Sequence, residues 1–282
     1  MVFKKNQSGS YGTYAVFNIA ILWIWTIRQL LKTIRLPALC CSGVLMELMI
    51  HLIRKTVERG VTFFDLETQM MQTKLNTKQR AIIPIAAFTA NGDLDKLKPS
   101  LEKGLDAGLT VNEIKEILLQ MYAYAGFPRS LNAIGTFMAV MDARKDKGLK
   151  DETGKEAGPM PAGKSSLEIG TENQTRLVGQ AVKGLLFDFA PAIDQFLKAH
   201  LFGDIFQRDV LDWSERELAT IAALANIEGV NSQLQAHYAI SLNNGITPEQ
   251  LRDFLTVIEV WCGPEVTHNA KSVLEQVLGS RG

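Results

Sequence analysis

GLDAGLTVNEIKEILLQMYAYAGFPRSLNA, residues 104–133, carries the punctuation of helices rather than strands. Gly108 follows a helical run and suits the left-handed position just past a helix end. Thr110-x-x-Glu113 is a capping box that opens the next helix, because each side chain can satisfy a backbone N–H left free at a helix start. Gly126 closes that helix, and Pro128 and Arg129 stand at the start of another.

A second copy lies further along. With a shift of 137 residues, 72–145 and 209–278 align without a gap. Ala86 meets Ala223, Gly92 meets Gly229, Leu97 meets Leu234 and Leu105 meets Leu242. Gly108, Thr110, Leu118 and Gly126 meet Gly245, Thr247, Leu255 and Gly263, and Asn132-Ala133 meets Asn269-Ala270. Thr247-Pro248-x-Gln250 repeats the capping box with proline at the permitted first position. Each copy therefore predicts four helices, and the chain is expected to be all-α, a tandem repeat packed as a pseudo-symmetric bundle.

Outside the repeat the chain changes character. Residues 146–170 are rich in Gly, Lys, Glu and Pro and predict a linker or long surface loop. From 172 to 205 apolar residues recur at helical spacing (Leu177, Val178, Val182, then Ile193, Phe196, Leu197), which predicts helices packed on the second copy. This divides the chain into an atypical segment 1–71, a first unit 72–145, a linker 146–170 and a second unit 171–282. Within the first segment, residues 14–27 (YAVFNIAILWIWTI) are strongly apolar but shorter than the ~20 residues of a spanning helix. They read either as a membrane anchor or as a hydrophobic helix docked elsewhere. Basic residues flank both sides and no small-x-small cleavage site follows, so the globular part is expected in the cytoplasm. Residues 49–65 (MIHLIRKTVERGVTFFD) resemble a helix-to-strand fragment of aldo-keto reductases. Asp65 is not followed by the tyrosine of that family, and so short a piece cannot build a barrel.

Composition removes several functions. Lys+Arg and Asp+Glu are both 30, so the formal charge is zero, and no basic stripe points to nucleic acid. Cys40, Cys41 and Cys262 form no Cys-x-x-Cys, and His51, His200, His237 and His268 are scattered. Neither a disulfide framework nor a metal site is expected.

The combination of Gly-Leu-Thr, an amphipathic helix, Tyr-Ala-Gly and Phe-Pro-Arg-x-x-Asn-Ala in 104–133 closely resembles the signature of the carboxymuconolactone decarboxylase family. SERELATIAALANIEGVNSQLQAHYAISLNNGIT (214–247) resembles that family's other half-signature, Arg-Glu-Leu followed by an apolar helix and a His. The resemblance implies two tandem alkylhydroperoxidase-D-like helical units, assembly into homo-oligomers, and chemistry that needs no cofactor. The peroxidase branch of this superfamily uses a Cys-x-x-Cys pair four residues before a His. Relative to His237 those places hold Val230 and Gln233. A dithiol cycle needs an attacking and a resolving thiol, and both are missing there.

Candidate residues follow from the helical faces. Glu217 lies one turn before Ile221 and two before Leu224, so it faces the apolar stripe, where burial would suit it to proton transfer. Alternatively, Ser214-x-x-Glu217 is a capping box and Glu217 only closes the helix start. His237 lies one turn from Leu234 and from Ile240 and also faces inward, as a general acid/base or as a core histidine. Arg129 could clamp a carboxylate bidentately or be a solvated charge. Asn132 and Asn269 complete the substrate-binding set that the resemblance implies. The first unit has Arg80 and Ser100 at the places of Glu217 and His237, so it lacks the acid/base pair. Tyr124, Trp261 and Cys262 read as core. The expected activity is that of a carboxy-lyase acting on a small carboxylated lactone or related acid. A peroxidase-like member and a non-catalytic oligomeric binding module of the same fold are the alternatives.

Overall fold

The computed structural model describes residues 74–281, and within them every regular element is helical. The apolar stretch 14–27, the fragment 49–65 and the strand expected at its end lie outside the described residues.

The first copy of the repeat forms α1 (Thr77–Asn91), α2 (Leu94–Asp106), α3 (Val111–Ala125) and α4 (Phe127–Asp146). Then come α5 (Ser166–Val178), the short α6 (Leu185–Phe189) and α7 (Pro191–Phe196), and a π-helical segment, Leu197–Ile205. The second copy forms α8 (Trp213–Ala225), α9 (Asn231–Asn243), α10 (Pro248–Cys262) and α11 (Pro264–Gly279). Side-chain caps set the starts of α1, α2, α3, α5, α8 and α10. Both capping boxes read from the repeat, Thr110/Glu113 and Thr247/Gln250, are formed. Gly126 and Gly263 sit at φ of 84° and 91°. A side chain is strained there, so glycine is what allows one helix to end and the next to begin without an intervening loop.

The centre of the bundle is the crossing of α1 and α8. From Ile82 to Ala90, and from Arg216 to Ala225, every residue is buried. Alanines at 86, 87, 222 and 223 let the two helices approach closely, and one continuous core joins the halves. A second, smaller core gathers Leu177, Leu201, Phe202, Ile205, Phe206 and Ile240. It forms because Gly170 and Gly203 bring α5 against the π-helical segment. A Cβ on Gly170 would stand 1.7 Å from the Lys198 carbonyl oxygen.

Three expectations are corrected. The linker ends at 165 rather than 170, because Ser165 and Glu168 form a capping box that starts α5. Its middle is tied down: Glu152 and Thr153 carbonyls accept from the Val111 and Asn112 N–H groups at 2.9 Å, filling donors that the start of α3 would otherwise leave open. Ile193 and Phe196 do not pack inward. They are exposed, with Leu185, Leu186 and Phe189, whereas Leu177 packs inward as expected, with Val178 and Leu197 against it, joined by Leu201 and Phe202. Finally, the cap of α8 stands two residues earlier than the Ser214/Glu217 reading places it. Asp212 is the N-cap and Glu215 the reciprocal partner. Glu217 is released from capping and lies on the buried side.

Among the described residues no helix is long and apolar enough to cross a membrane.

Candidate active site

Glu217 and His237 meet across α8 and α9. His237 Nδ1 and Glu217 Oε2 are 2.9 Å apart. Glu217 is 0% exposed and His237 8%, so solvent reaches the pair by way of the imidazole. Glu217 Oε1 is buried without a hydrogen-bond partner among the described residues. An acceptor left open at such depth costs free energy unless a ligand or water meets it. With Nδ1 facing a carboxylate, Nδ1 carries the proton and Nε2 becomes the working nitrogen: a base when the ring is neutral, an acid when it is charged.

The wall beside the pair comes from the first unit. The Tyr124 ring stands edge-on to His237, centroids 5.9 Å apart. Its hydroxyl lies 3.2 Å from Thr220 Oγ1. Burial and the neighbouring Glu217 carboxylate push the Tyr124 phenol far above its usual range, against the smaller opposite pulls of the Thr220 hydrogen bond and Arg216. Tyr124 therefore stays protonated.

Behind Thr220 runs a buried polar line that the sequence reading did not pick out. Gln120 Nε2 donates to Thr220 Oγ1 and to the Arg216 carbonyl, both at 2.9 Å. Arg216, 0% exposed, donates to Gln120 Oε1 at 2.9 Å, to Glu116 Oε1 at 2.7 Å and to the Arg208 carbonyl at 2.7 Å. Arg208 also pairs with Glu116, Nε to Oε1 at 2.9 Å. Desolvation lowers the Arg216 pKa and the Glu116 contact works against that. A signal was present in the sequence. Glu116, Gln120 and Tyr124 recur every four residues on α3, and Arg216 and Thr220 do so on α8, giving two polar stripes that face each other.

The substrate-binding candidates make no hydrogen bond or ion pair to Glu217 or His237. Arg129 is exposed at the start of α4, and its guanidinium donates to the Ala90 carbonyl at the end of α1. Asn132 is exposed. Asn269 exchanges amide hydrogen bonds with Asn231 at 2.9 and 3.0 Å, tying α11 to the start of α9. In the first unit, Ser100 Oγ donates to the Lys96 carbonyl at 2.8 Å, and Arg80 pairs with Asp253 at 2.6 Å. Cys262 is partly buried and uncrosslinked; burial raises its pKa, and a hydrogen bond with Asn226 offsets part of that. Two surface cavities, about 460 and 170 Å³, border Arg208 and Val210, and neither is lined by Glu217 or His237. Among the described residues no group of three or more His, Cys, Asp or Glu could hold a metal ion.

Two tandem helical units, the second with a buried carboxylate–imidazole pair, define an all-α protein of the carboxymuconolactone decarboxylase type. The chain belongs to the Carboxymuconolactone decarboxylase family, whose profile matches residues 61–137 and 191–276, together more than half of the chain. It is similar to a 4-carboxymuconolactone decarboxylase of Acinetobacter baylyi, 27% identical over 120 residues, which is 42% of this chain and 88% of that protein. It is also similar to an uncharacterized protein of Methanocaldococcus jannaschii, 28% identical over 67 residues, which is 24% of this chain and 63% of the relative.

Proposed function

We propose that this chain is a cofactor-independent carboxy-lyase acting on a small carboxylated lactone or a related acid. The observation that carries this reading is the His237–Glu217 pair, buried, hydrogen-bonded and open at Glu217 Oε1 and at the outer imidazole nitrogen. The bond from the substrate carbon to its carboxylate breaks, and CO₂ leaves without the electron pair. That pair delocalises into the lactone carbonyl as an enolate. His237 Nε2–H then delivers a proton to carbon, and the imidazole regains one from water. Glu217 orients the ring and stabilises its cationic form. Arg129 donates to Ala90 through one nitrogen and keeps further N–H groups for a carboxylate. Asn132 and Asn269 are assigned to the same binding role as lesser contacts. The name of the Acinetobacter relative supports the reaction class.

Release of CO₂ from a panel of carboxylated lactones tests this reading. His237→Gln keeps the size and a hydrogen-bond donor but cannot exchange a proton near neutral pH. Turnover should fall by ~10²–10⁴-fold, with the melting midpoint held. A destabilised variant with normal turnover per folded molecule would take His237 out of the mechanism. A parent protein inert on every such substrate would favour a binding module that retains the fold. Peroxide turnover that Cys262→Ser abolishes would instead favour the peroxidase-like reading.

A further inference from the structure

The buried line behind Tyr124 has a direction, and the direction follows from which groups can donate. Arg216 is donor-only. Its contact with Gln120 therefore fixes the amide: oxygen toward Arg216, NH₂ away from it. The two amide protons then go to the Arg216 carbonyl and to Thr220 Oγ1. Thr220 has a single hydroxyl proton and two acceptors in reach, the Arg216 carbonyl at 2.9 Å and Tyr124 Oη at 3.2 Å. The carbonyl is already supplied, by Gln120 and by the Thr220 N–H that continues the α8 helix. Its two lone pairs are filled, so the Thr220 proton is left for Tyr124. Once Tyr124 accepts there, its own proton points away from Thr220, on a ring that stands edge-on to His237 of the acid/base pair.

We infer that Glu116, Arg216, Gln120 and Thr220 set the polarity of a hydrogen-bond line that makes the Tyr124 hydroxyl a fixed donor to the substrate oxygen on which negative charge develops. The assignment of that oxygen rests on the lyase reading above; the direction of the line does not. Tyr124 is then a catalytic residue supplied by the first unit to the acid/base pair of the second. Thr220, Gln120 and Arg216 are positioning residues that act through it. Fixed donors aimed at developing charge need no reorganisation as the charge appears, which is why they accelerate such steps. A tyrosine held neutral by burial beside Glu217 is suited to donate and unsuited to act as a base.

Two measurements on the full-length protein test this. The first needs no substrate. With tyrosine labelled at Cζ, the Tyr124 resonance is assigned by its loss in Tyr124→Phe. Accepting a hydrogen bond moves a phenol Cζ upfield, and donating one moves it downfield toward the phenolate position. Thr220→Val removes the hydroxyl at nearly constant volume. The Tyr124 Cζ should then move downfield, and Thr220→Ser should leave it near the parent position. An upfield move would show that Tyr124 donates to Thr220, which overturns the direction. The second is turnover on the lactone panel. Tyr124→Phe should lower kcat by ~10²-fold and leave KM within about threefold, as expected for a contact made in the transition state. Thr220→Val should give a smaller loss that Thr220→Ser restores. Unchanged kcat in folded Tyr124→Phe would overturn the donor role. If the parent turns over no lactone, the lyase reading falls, and the sign of the Cζ shift still decides the donor assignment.

Discussion

The α3–α8 face and the α1–α10 face are built from equivalent helices of the repeat, yet the first carries a buried polar line where the second is mostly apolar and keeps one ion pair, Arg80–Asp253, whose arginine is half-exposed. On the first, Gln120, Thr220 and Tyr124 form a hydrogen-bonded line, and the Tyr124 ring stands edge-on to His237, which pairs with Glu217. At the matching places the second has Val257, Ile83 and Trp261, with Trp261 edge-on to Phe88 at 6.1 Å. Both faces close the bundle, so folding does not require the polar line. Burying an ion pair such as Arg216–Glu116 costs desolvation that its attraction only partly offsets, and a packed apolar core is often as stable. A buried network that its own symmetry mate does without is better explained by the chemistry it borders than by stability.

The strongest way to break this contrast is Arg216→Met. It strips Glu116 of its buried partner and leaves the carboxylate to the half-exposed Arg208 alone. Loss of one partner of a buried pair costs about 3–5 kcal/mol, to be read from the urea midpoint. Adding Glu116→Leu should recover most of it, because no carboxylate is then left buried without its partner. The double variant should keep a lowered kcat on the lactone panel, by no more than the ~10²-fold expected of Tyr124→Phe. Failure of the second change to restore stability would mean that Arg216 works mainly through packing against Phe206, whose ring lies 5.8 Å from its guanidinium carbon.

The converse change copies the polar face onto the apolar one. Ile83→Thr places a hydroxyl at a fully buried position of α1. Lost apolar burial and an ill-served hydroxyl should cost about 1–3 kcal/mol in a denaturant titration, with no gain of turnover. A neutral outcome would show that the α1–α10 face has slack which the tight core around Ile82, Ala86 and Phe88 argues against.

The two faces also mark what the sequence could and could not reveal. Elements were legible wherever a local device sets them: Thr110 with Glu113, Thr247 with Gln250, and the glycines at 126 and 263 all act within a few residues of themselves. The start of α8 was misplaced because two Ser/Asp-x-x-Glu patterns are nested there, Asp212/Glu215 and Ser214/Glu217, and only packing decides between them. The inward direction of Glu217 and His237 follows from helical spacing. Their meeting depends on how α8 crosses α9, which no local pattern fixes. Arg216 and Glu116 were passed over because a charged residue in a helix usually faces water, and it takes the partner helix to show otherwise.

A smaller effect is expected at α6 and α7, where Phe189 is 90% and Leu185 87% exposed. Clustered apolar exposure of this kind marks association surfaces, and we propose a second copy of the chain as its cover, in keeping with the homo-oligomer that the family resemblance implies. Leu185→Asp with Phe189→Asp should change folding stability by no more than about 0.5 kcal/mol while lowering the mass seen by sedimentation. An unchanged mass would assign the face to another partner.

Another small effect separates two of the cross-unit ion pairs. Arg80 reaches Asp253 just as Arg216 reaches Glu116, but the Arg80 side chain is 41% exposed whereas that of Arg216 is 0%. Burial alone would raise the Asp253 pKa. The Arg80 hydrogen bonds, the Leu75 N–H at 3.1 Å and the Arg80 charge outweigh it and hold the carboxyl below its usual value. A carboxyl depressed in the folded state stabilises fully above its ordinary pKa of about 3.9 and loses that contribution as pH falls through the folded value. Arg80→Met should therefore cost no more than about 1 kcal/mol near neutral pH, since water and salt screen so exposed a pair. The difference from the parent should shrink as the medium is taken below pH about 3.9, where Asp253 of the unfolded chain protonates, and vanish once pH passes below the lower folded value. Thermal midpoints across that range measure it. A gap that persists in acid would mean that Arg80 serves through its aliphatic stem, and that the two faces differ in packing more than in charge.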